Sequence, residues 1–220
     1  MHRSGTSAVA HLLAKSCGRR LLEDPEWALT GRLIDVTRHR EELMRWELVK
    51  CPRMTEVLPA ALAACAEMRA VVLVRDPRDV FCSIMEKVRA GMATRMLEFS
   101  RLGVEKGGAD GFAEAYRIYT AIILGALDGP ASARVRIVLY EAFCEDKCAA
   151  VSQLADWMGW RCDLGVIASR QYEQLGPVHT KHISDQSIKG PRRWARDLDE
   201  PDRAALSSAL AAHAALQARA

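Results

Sequence analysis

The stretch that most constrains the fold is Ala70-Val71-Val72-Leu73-Val74, an unbroken apolar run closed by the polar turn Arg75-Asp76-Pro77-Arg78-Asp79. A continuous, β-branched run suits a strand buried on both faces, and parallel sheets covered by helices are where such strands occur. Proline is favoured at a first helical position, so a helix is expected from Pro77. Arg75 and Ser83 then bracket one strand-to-helix turn.

Other segments repeat that pattern. Residues 46–51 (WELVKC) read as a short strand ending in Lys50, Pro52 and Arg53, and residues 135–140 (VRIVLY) as another ending in Glu141. Helices are expected over 6–17, stopped by Gly18, and over 38–44, 55–68, 89–102, 112–127, 144–158 and 201–218. Residues 19–31 read as irregular, 103–111 (GVEKGGADG) as a candidate lid, 161–172 as weakly patterned, and 179–188 as polar without periodicity. Strand and helix alternate without a repeat or linker. The expectation is one α/β domain over 1–220, with a mostly parallel central sheet flanked by helices and right-handed crossovers.

Composition narrows the function classes. Half of the 220 residues are apolar and 27% are charged, which fits a globular chain. Only 6% are aromatic and the net charge is +3, which argues against a nucleic-acid surface and suits a few placed cations around a small polyanion. The seven cysteines are odd in number and lack CxxC spacing, so reduced, buried thiols are expected. The charged first twenty residues and the lack of a long apolar run give no signal peptide or transmembrane segment, and a cytoplasmic protein is expected.

The first residues, His2-Arg3-Ser4-Gly5-Thr6-Ser7, precede an apolar helical pattern. They read either as an anion cradle or as an ordinary cap. In the first reading a flexible Gly, three hydroxyls, Arg3 and a helix N-terminus converge on phosphate or sulfate. In the second, Ser4 or Thr6 caps the helix and Arg3 is solvated. The stretch is not a Walker A loop, because no Lys follows Gly5.

Taken together, HRSGTS, VLVRDPRDVFCS, RIVLYEAF and KGPRRW resemble, in order and separation, the motifs of sulfotransferases that use 3′-phosphoadenosine 5′-phosphosulfate (PAPS), particularly compact bacterial members. The resemblance implies a P-loop-like sulfotransferase fold. It also implies PAPS as sulfuryl donor with no metal, and a hydroxyl, or secondarily an amine, of a small metabolite, glycan or lipid as acceptor. A homo-oligomer is compatible with it. By motif position, Arg3, Ser4, Gly5, Thr6 and Ser7 take the 5′-phosphosulfate. Arg75 and Ser83 take the 3′-phosphate, with Lys189, Gly190 and Arg192 closing over it. The family carries an apolar strand before its phosphosulfate loop, where this sequence has Met1 and His2, so a sheet without that strand is expected.

The chemistry assigned by this resemblance is in-line displacement at sulfur, with Arg3 stabilising developing charge and Lys50 matching a family lysine. The proton acceptor is left open among Glu23, Asp24, Glu26, Glu47 and His39, the acidic loop ranking first, with His179 and His182 behind them. Pro52 stands near where some members carry a histidine base. Asp76 and Asp79 are expected to cap the following helix or orient Arg75 and Arg78, and Trp194 to pack either under adenine or in the core. Two other readings remain: a catalytically degenerate PAP- or PAPS-binding or scaffold protein, and behind it a P-loop kinase.

Overall fold

A computed structural model describes residues 5–29, 34–91, 102–168 and 192–220. Arg3, Ser4, His179, His182, Lys189, Gly190 and most of the helix expected over 89–102 lie outside the described residues. The first helix, α1 (Thr6–Ser16), buries Leu12 and Leu13 almost completely. Burial of each such side chain is worth about 2 kcal/mol. Its buried stripe packs over β1 (Leu21–Glu23) and β2 (Leu48–Lys50) on one side and against later helices on the other.

β1 is a strand within a segment expected to be irregular. Its three residues are too few to show an alternation, and it exists by pairing in parallel with β2, Leu21 opposite Leu48 and Glu23 opposite Lys50. A 3-10 turn (Glu26–Leu29) and α2 (Val36–Met44) connect the two strands, with the Asp35 carboxylate accepting from the Arg38 amide at 3.2 Å as an N-cap.

Beyond β2 the expected long helix over 55–68 is two pieces, a 3-10 stretch (Pro52–Val57) and α3 (Leu58–Ala64). Pro59 explains the break. Proline is tolerated in a first turn and not in a helix interior. β3 (Ala70–Val74) has the expected bounds and pairs in parallel with β4 (Val135–Leu139), Ala70 opposite Val135. Between them run α4 (Pro77–Arg89) and the long α5 (Gly108–Leu127). Gly108 to Gly111, expected in a lid, form the first turn of α5 instead; only 103–107 are irregular among the described residues there.

After β4 the chain forms α6 (Tyr140–Glu145), α7 (Lys147–Met158) and α8 (Gly165–Ala168), then α9 (Trp194–Asp197), α10 (Glu200–Ala205) and α11 (Ser207–Gln217). Asp146 divides α6 from α7 by accepting from the Ala149 amide at 2.8 Å. All strand pairing among the described residues is parallel, in two two-stranded sheets rather than one continuous sheet. A cleft of about 440 Å³ lies between β2 and β3. All seven cysteines are free; Cys65 and Cys82 are buried and the others half-buried.

Helix α11 docks on α5 through a buried polar contact. The Tyr116 hydroxyl donates to the Arg75 carbonyl at 3.1 Å, so the His213 Nδ1–H, 3.0 Å away, donates to the Tyr116 oxygen. Burial lowers the His213 pKa below its usual 6.5. A histidine depressed in the fold binds its proton more tightly when unfolded, so its contribution is complete above about pH 6.5 and is lost as pH falls from there toward the folded value. Thermal melting between pH 8 and 5 is expected to show a loss below about pH 6.5 that His213→Gln flattens.

Candidate active site

Strands of open parallel sheets deliver ligand groups at their carboxyl ends. Here Glu23 and Asp24 close β1, Lys50 closes β2 and Arg75 follows β3. Ser7 and His11, one turn apart on α1, face the first of these ends. Glu23 accepts from the Ser7 hydroxyl at 2.6 Å through Oε1 and from His11 Nε2 at 3.0 Å through Oε2. Lys50, with its side chain 8% exposed, places Nζ 3.2 Å from Glu23 Oε1 and 2.5 Å from Asp24 Oδ2.

The hydrogen bond from His11, with those of Ser7 and the charge of Lys50, holds the Glu23 carboxyl well below the usual carboxylate range against the opposing effect of burial. Glu23 is therefore ionised at neutral pH, with both oxygens engaged. Asp24 differs. Its side chain is 28% exposed, its backbone sits at φ 45°, and its amide donates to the Lys50 carbonyl at 2.8 Å. A left-handed non-glycine residue is locally strained, though aspartate tolerates it better than most.

The remaining candidate bases stand elsewhere. Glu47 accepts from Arg19 Nη1 at 2.8 Å and from the Arg20 amide at 3.1 Å, a surface clasp whose hydrogen bonds lower the pKa of its carboxyl. Glu26 is exposed, and His39 stacks on Trp27 with ring centroids 4.3 Å apart. His11 was not among the sequence candidates. The signal that could have found it is its i, i+4 spacing from Ser7 on a helix whose first turn approaches a carboxylate.

At the head of α1 the N-cap is Gly5, at φ 90°, and Thr6 is already inside the helix. Gly5 has no side chain to cap with, and α1 carries no acidic residue of its own in its first turn, where the Glu23 carboxylate reaches the Ser7 hydroxyl from β1. A Cβ on Gly5 would fall on the Tyr140 ring, 2.5 Å from Cδ2. The same buried ring lies under Arg75, whose guanidinium carbon is 4.3 Å from its centroid. Tyr140 thus packs the head of α1 and the end of β3 against one ring.

Arg75 and Ser83 are both almost fully buried, Ser83 on the inner face of α4 one turn beyond Asp79. Asp76 caps α4 by accepting from the Arg78 amide at 2.9 Å and also grips the Arg78 guanidinium at 2.7 Å. Asp79 takes a different part. It is wholly buried and accepts from the Arg192 amide at 2.7 Å and the Trp194 amide at 3.0 Å, fastening the C-terminal motif to the helix that carries Ser83. Arg192 itself is at φ 67°. Trp194 packs against the buried core around α4 with the Arg78 guanidinium 3.5 Å from its ring centroid. Arg193 bridges Glu86 and Asp197, both at 2.9 Å.

These features define an α/β protein in which a glycine-capped helix terminus and an arginine at a strand end pack on one aromatic ring. The sequence model of the Sulfotransferase family matches residues 19–163, about two thirds of the chain. The chain belongs to the sulfotransferase family. A solved sulfotransferase from Alicyclobacillus acidocaldarius superposes with a TM-score of 0.52 at 15% identity, covering 98% of this chain and 92% of that one, which shows a shared fold. No curated protein matches the sequence. Among the described residues no cluster of His, Cys, Asp or Glu is arranged for a metal ion, and no helix is long and apolar enough to cross a membrane.

Proposed function

We propose that the protein moves the sulfuryl group of PAPS to a hydroxyl, or secondarily an amine, of a small metabolite, glycan or lipid. The observation that carries this reading is Tyr140, which packs Gly5 at the head of α1 and Arg75 at the end of β3 against one ring. In this reading the site has two anion-binding ends: Gly5, Thr6 and Ser7 with Arg3 and Ser4 for the phosphosulfate, and Arg75 and Ser83 for the 3′-phosphate. Lys189, Gly190 and Arg192 are assigned to the second end by the resemblance of their motif.

In this reading Lys50 and Arg3 stabilise charge on the transferring group. The sulfur–oxygen bond to the 5′-phosphate breaks as the bond to the acceptor oxygen forms, and the acceptor's proton passes to Asp24. Asp24 is the more exposed of the two carboxylates on Lys50, whereas Glu23, saturated and strongly acidic, orients Ser7, His11 and Lys50. Glu47 keeps β2 tied to the end of α1 from outside.

Transfer of labelled sulfate from PAPS to a panel of hydroxyl and amine acceptors tests the activity. Asp24→Asn, which keeps a side chain tolerant of the left-handed backbone, is expected to lower kcat about 100-fold while PAP affinity is unchanged. PAP binding with no transfer to any acceptor would favour a degenerate nucleotide-binding protein instead. The engagement of both Glu23 oxygens is the observation that keeps this second reading in view.

A further inference from the structure

Cys17 and Cys162 lie far apart in the sequence and meet in the fold. Cys17 is the C-cap of α1, its amide donating to the Leu13 carbonyl at 3.0 Å, and Cys162 follows the end of α7. The Asp163 amide donates to the Ser16 carbonyl at 2.7 Å, which joins the peptide unit entering Cys17 to the one leaving Cys162. The two side chains face each other across this bond, and their thiols are hydrogen-bonded. That contact raises the pKa of Cys17 and lowers that of Cys162, so Cys17 Sγ–H is the donor and Cys162 Sγ the acceptor.

Both backbones are held in place around the sulfurs. The Arg19 amide donates to the Ala14 carbonyl at 2.8 Å, and its guanidinium lies 5.1 Å from the centroid of the Trp160 ring. The Trp160 amide donates to the Ala155 carbonyl at 2.8 Å, just past Gly159, whose φ of 71° ends α7. A disulfide needs two backbones already close, with side chains turned toward each other, and this pair meets that condition. Both thiols are half-buried and pack on the apolar cluster shared by α1 and α7. Burial is the main cause that pushes the Cys17 thiol up to about 12, and it raises Cys162 as well. Cys162 sits between exposed Arg161 and Asp163, and its thiolate is the one that the neighbouring S–H stabilises.

We propose that Cys17 and Cys162 form a disulfide on exposure to a low-molecular-weight disulfide, cross-linking the tail of α1 to the segment after α7. The Cys162 thiolate attacks one sulfur of the oxidant, whose S–S bond breaks; one small thiolate leaves and a mixed disulfide remains on Cys162. Cys17 gives its proton to water and attacks Cys162 Sγ, expelling the second small thiolate. Two protein thiols are oxidised and one small disulfide is reduced to two thiols. The bond closes a loop of about 145 residues, long enough to restrict the unfolded chain strongly. It lies at the opposite end of α1 from Gly5, so the inference stands apart from the choice of sulfuryl donor.

The test incubates the folded protein with oxidised glutathione and maps the unreduced peptides by mass spectrometry. A Cys17–Cys162 link is expected, with a rise in melting temperature of about 5–10 °C that dithiothreitol reverses. Cys17→Ser is expected to stop at the glutathione adduct on Cys162, and Cys162→Ser to leave Cys17 unmodified. An adduct that accumulates on Cys17 instead would overturn the order of attack. Two free thiols after oxidation would overturn the proposal, as would a link from Cys162 to Cys148, a third thiol whose charge acts on it from the first turn of α7. Equal yield of the Cys17–Cys162 link in the chain unfolded by urea would also overturn it, because the pairing would then owe nothing to the fold.

Discussion

Gly5→Ala is expected to remove most of the PAP affinity and sulfuryl transfer, by about 100-fold or more, while the far-ultraviolet circular dichroism stays near that of the parent. Two costs add at this position. A left-handed backbone costs an L-residue about 1–2 kcal/mol, and the new Cβ overlaps the Tyr140 ring, which has no free space to retreat into because it is 2% exposed and packed against Arg75. The loop must therefore rotate away from the helix axis and carry its amides out of register. The double variant Gly5→Ala/Tyr140→Leu is expected to lose less than the sum of the single losses, since the smaller side chain removes the overlap though not the backbone strain. Additive losses, measured by calorimetric titration with PAP, would show that Tyr140 and Gly5 do not share one site.

The largest expected loss of stability is at Arg53, immediately beyond the end of β2. Its side chain is 5% exposed and pairs with Glu56, 2% exposed, at 3.5 Å; it also donates to the Ala28 carbonyl. Glu56 in turn accepts from the Tyr119 hydroxyl of α5 at 3.1 Å. Removing one partner of a buried ion pair leaves the other charge uncompensated, at a cost of about 3–5 kcal/mol. Arg53→Ala is expected to lower the urea midpoint accordingly. Replacing both partners, as Arg53→Met/Glu56→Leu, is expected to lose much less than either single change, because the desolvation of two charges disappears with the pair. Equal loss in the double variant would mean that the ionic contact itself, rather than the orphaned charge, holds the segment after Lys50 in place.

The legible parts of the fold were those decided by local chemistry. Ala70 to Val74 carries its whole signal in five residues, and the structure gives β3 those bounds. Pro77 and Asp76 mark the start of α4, and Gly18 lies just past the end of α1. The illegible parts were decided by tertiary partners or by single residues inside longer patterns. β1 is three residues long and depends on β2 for its existence. Pro59 and Asp146 divide helices whose apolar periodicity runs straight through them.

The same division holds for the site. Lys50, Glu23 and Asp24 stand out in the sequence as strand-end or loop residues, and they meet at one point. What the sequence could not give was their separation in role. Glu23 is saturated because Ser7 and His11 reach it from a helix 12 to 16 residues away along the chain, and Asp24 is left more exposed because it turns into the left-handed region. Tyr140 was legible as part of a motif, but its place between Gly5 and Arg75 appears only when β3 and β4 pair. Asp79 was expected to cap the helix or to orient Arg75 and Arg78, and it holds residues more than a hundred positions away.

The most direct test of a two-ended nucleotide site is the ratio of affinities for PAP and for AMP, which differ only in the 3′-phosphate, in the parent and in Arg75→Met. The parent is expected to bind PAP about 100-fold more tightly, a difference of about 3 kcal/mol, and Arg75→Met to bring the two affinities together mainly by weakening PAP. Equal affinities for PAP and AMP in the parent, or a preference for PAP that survives Arg75→Met undiminished, would contradict the assignment of Arg75 to the second anion.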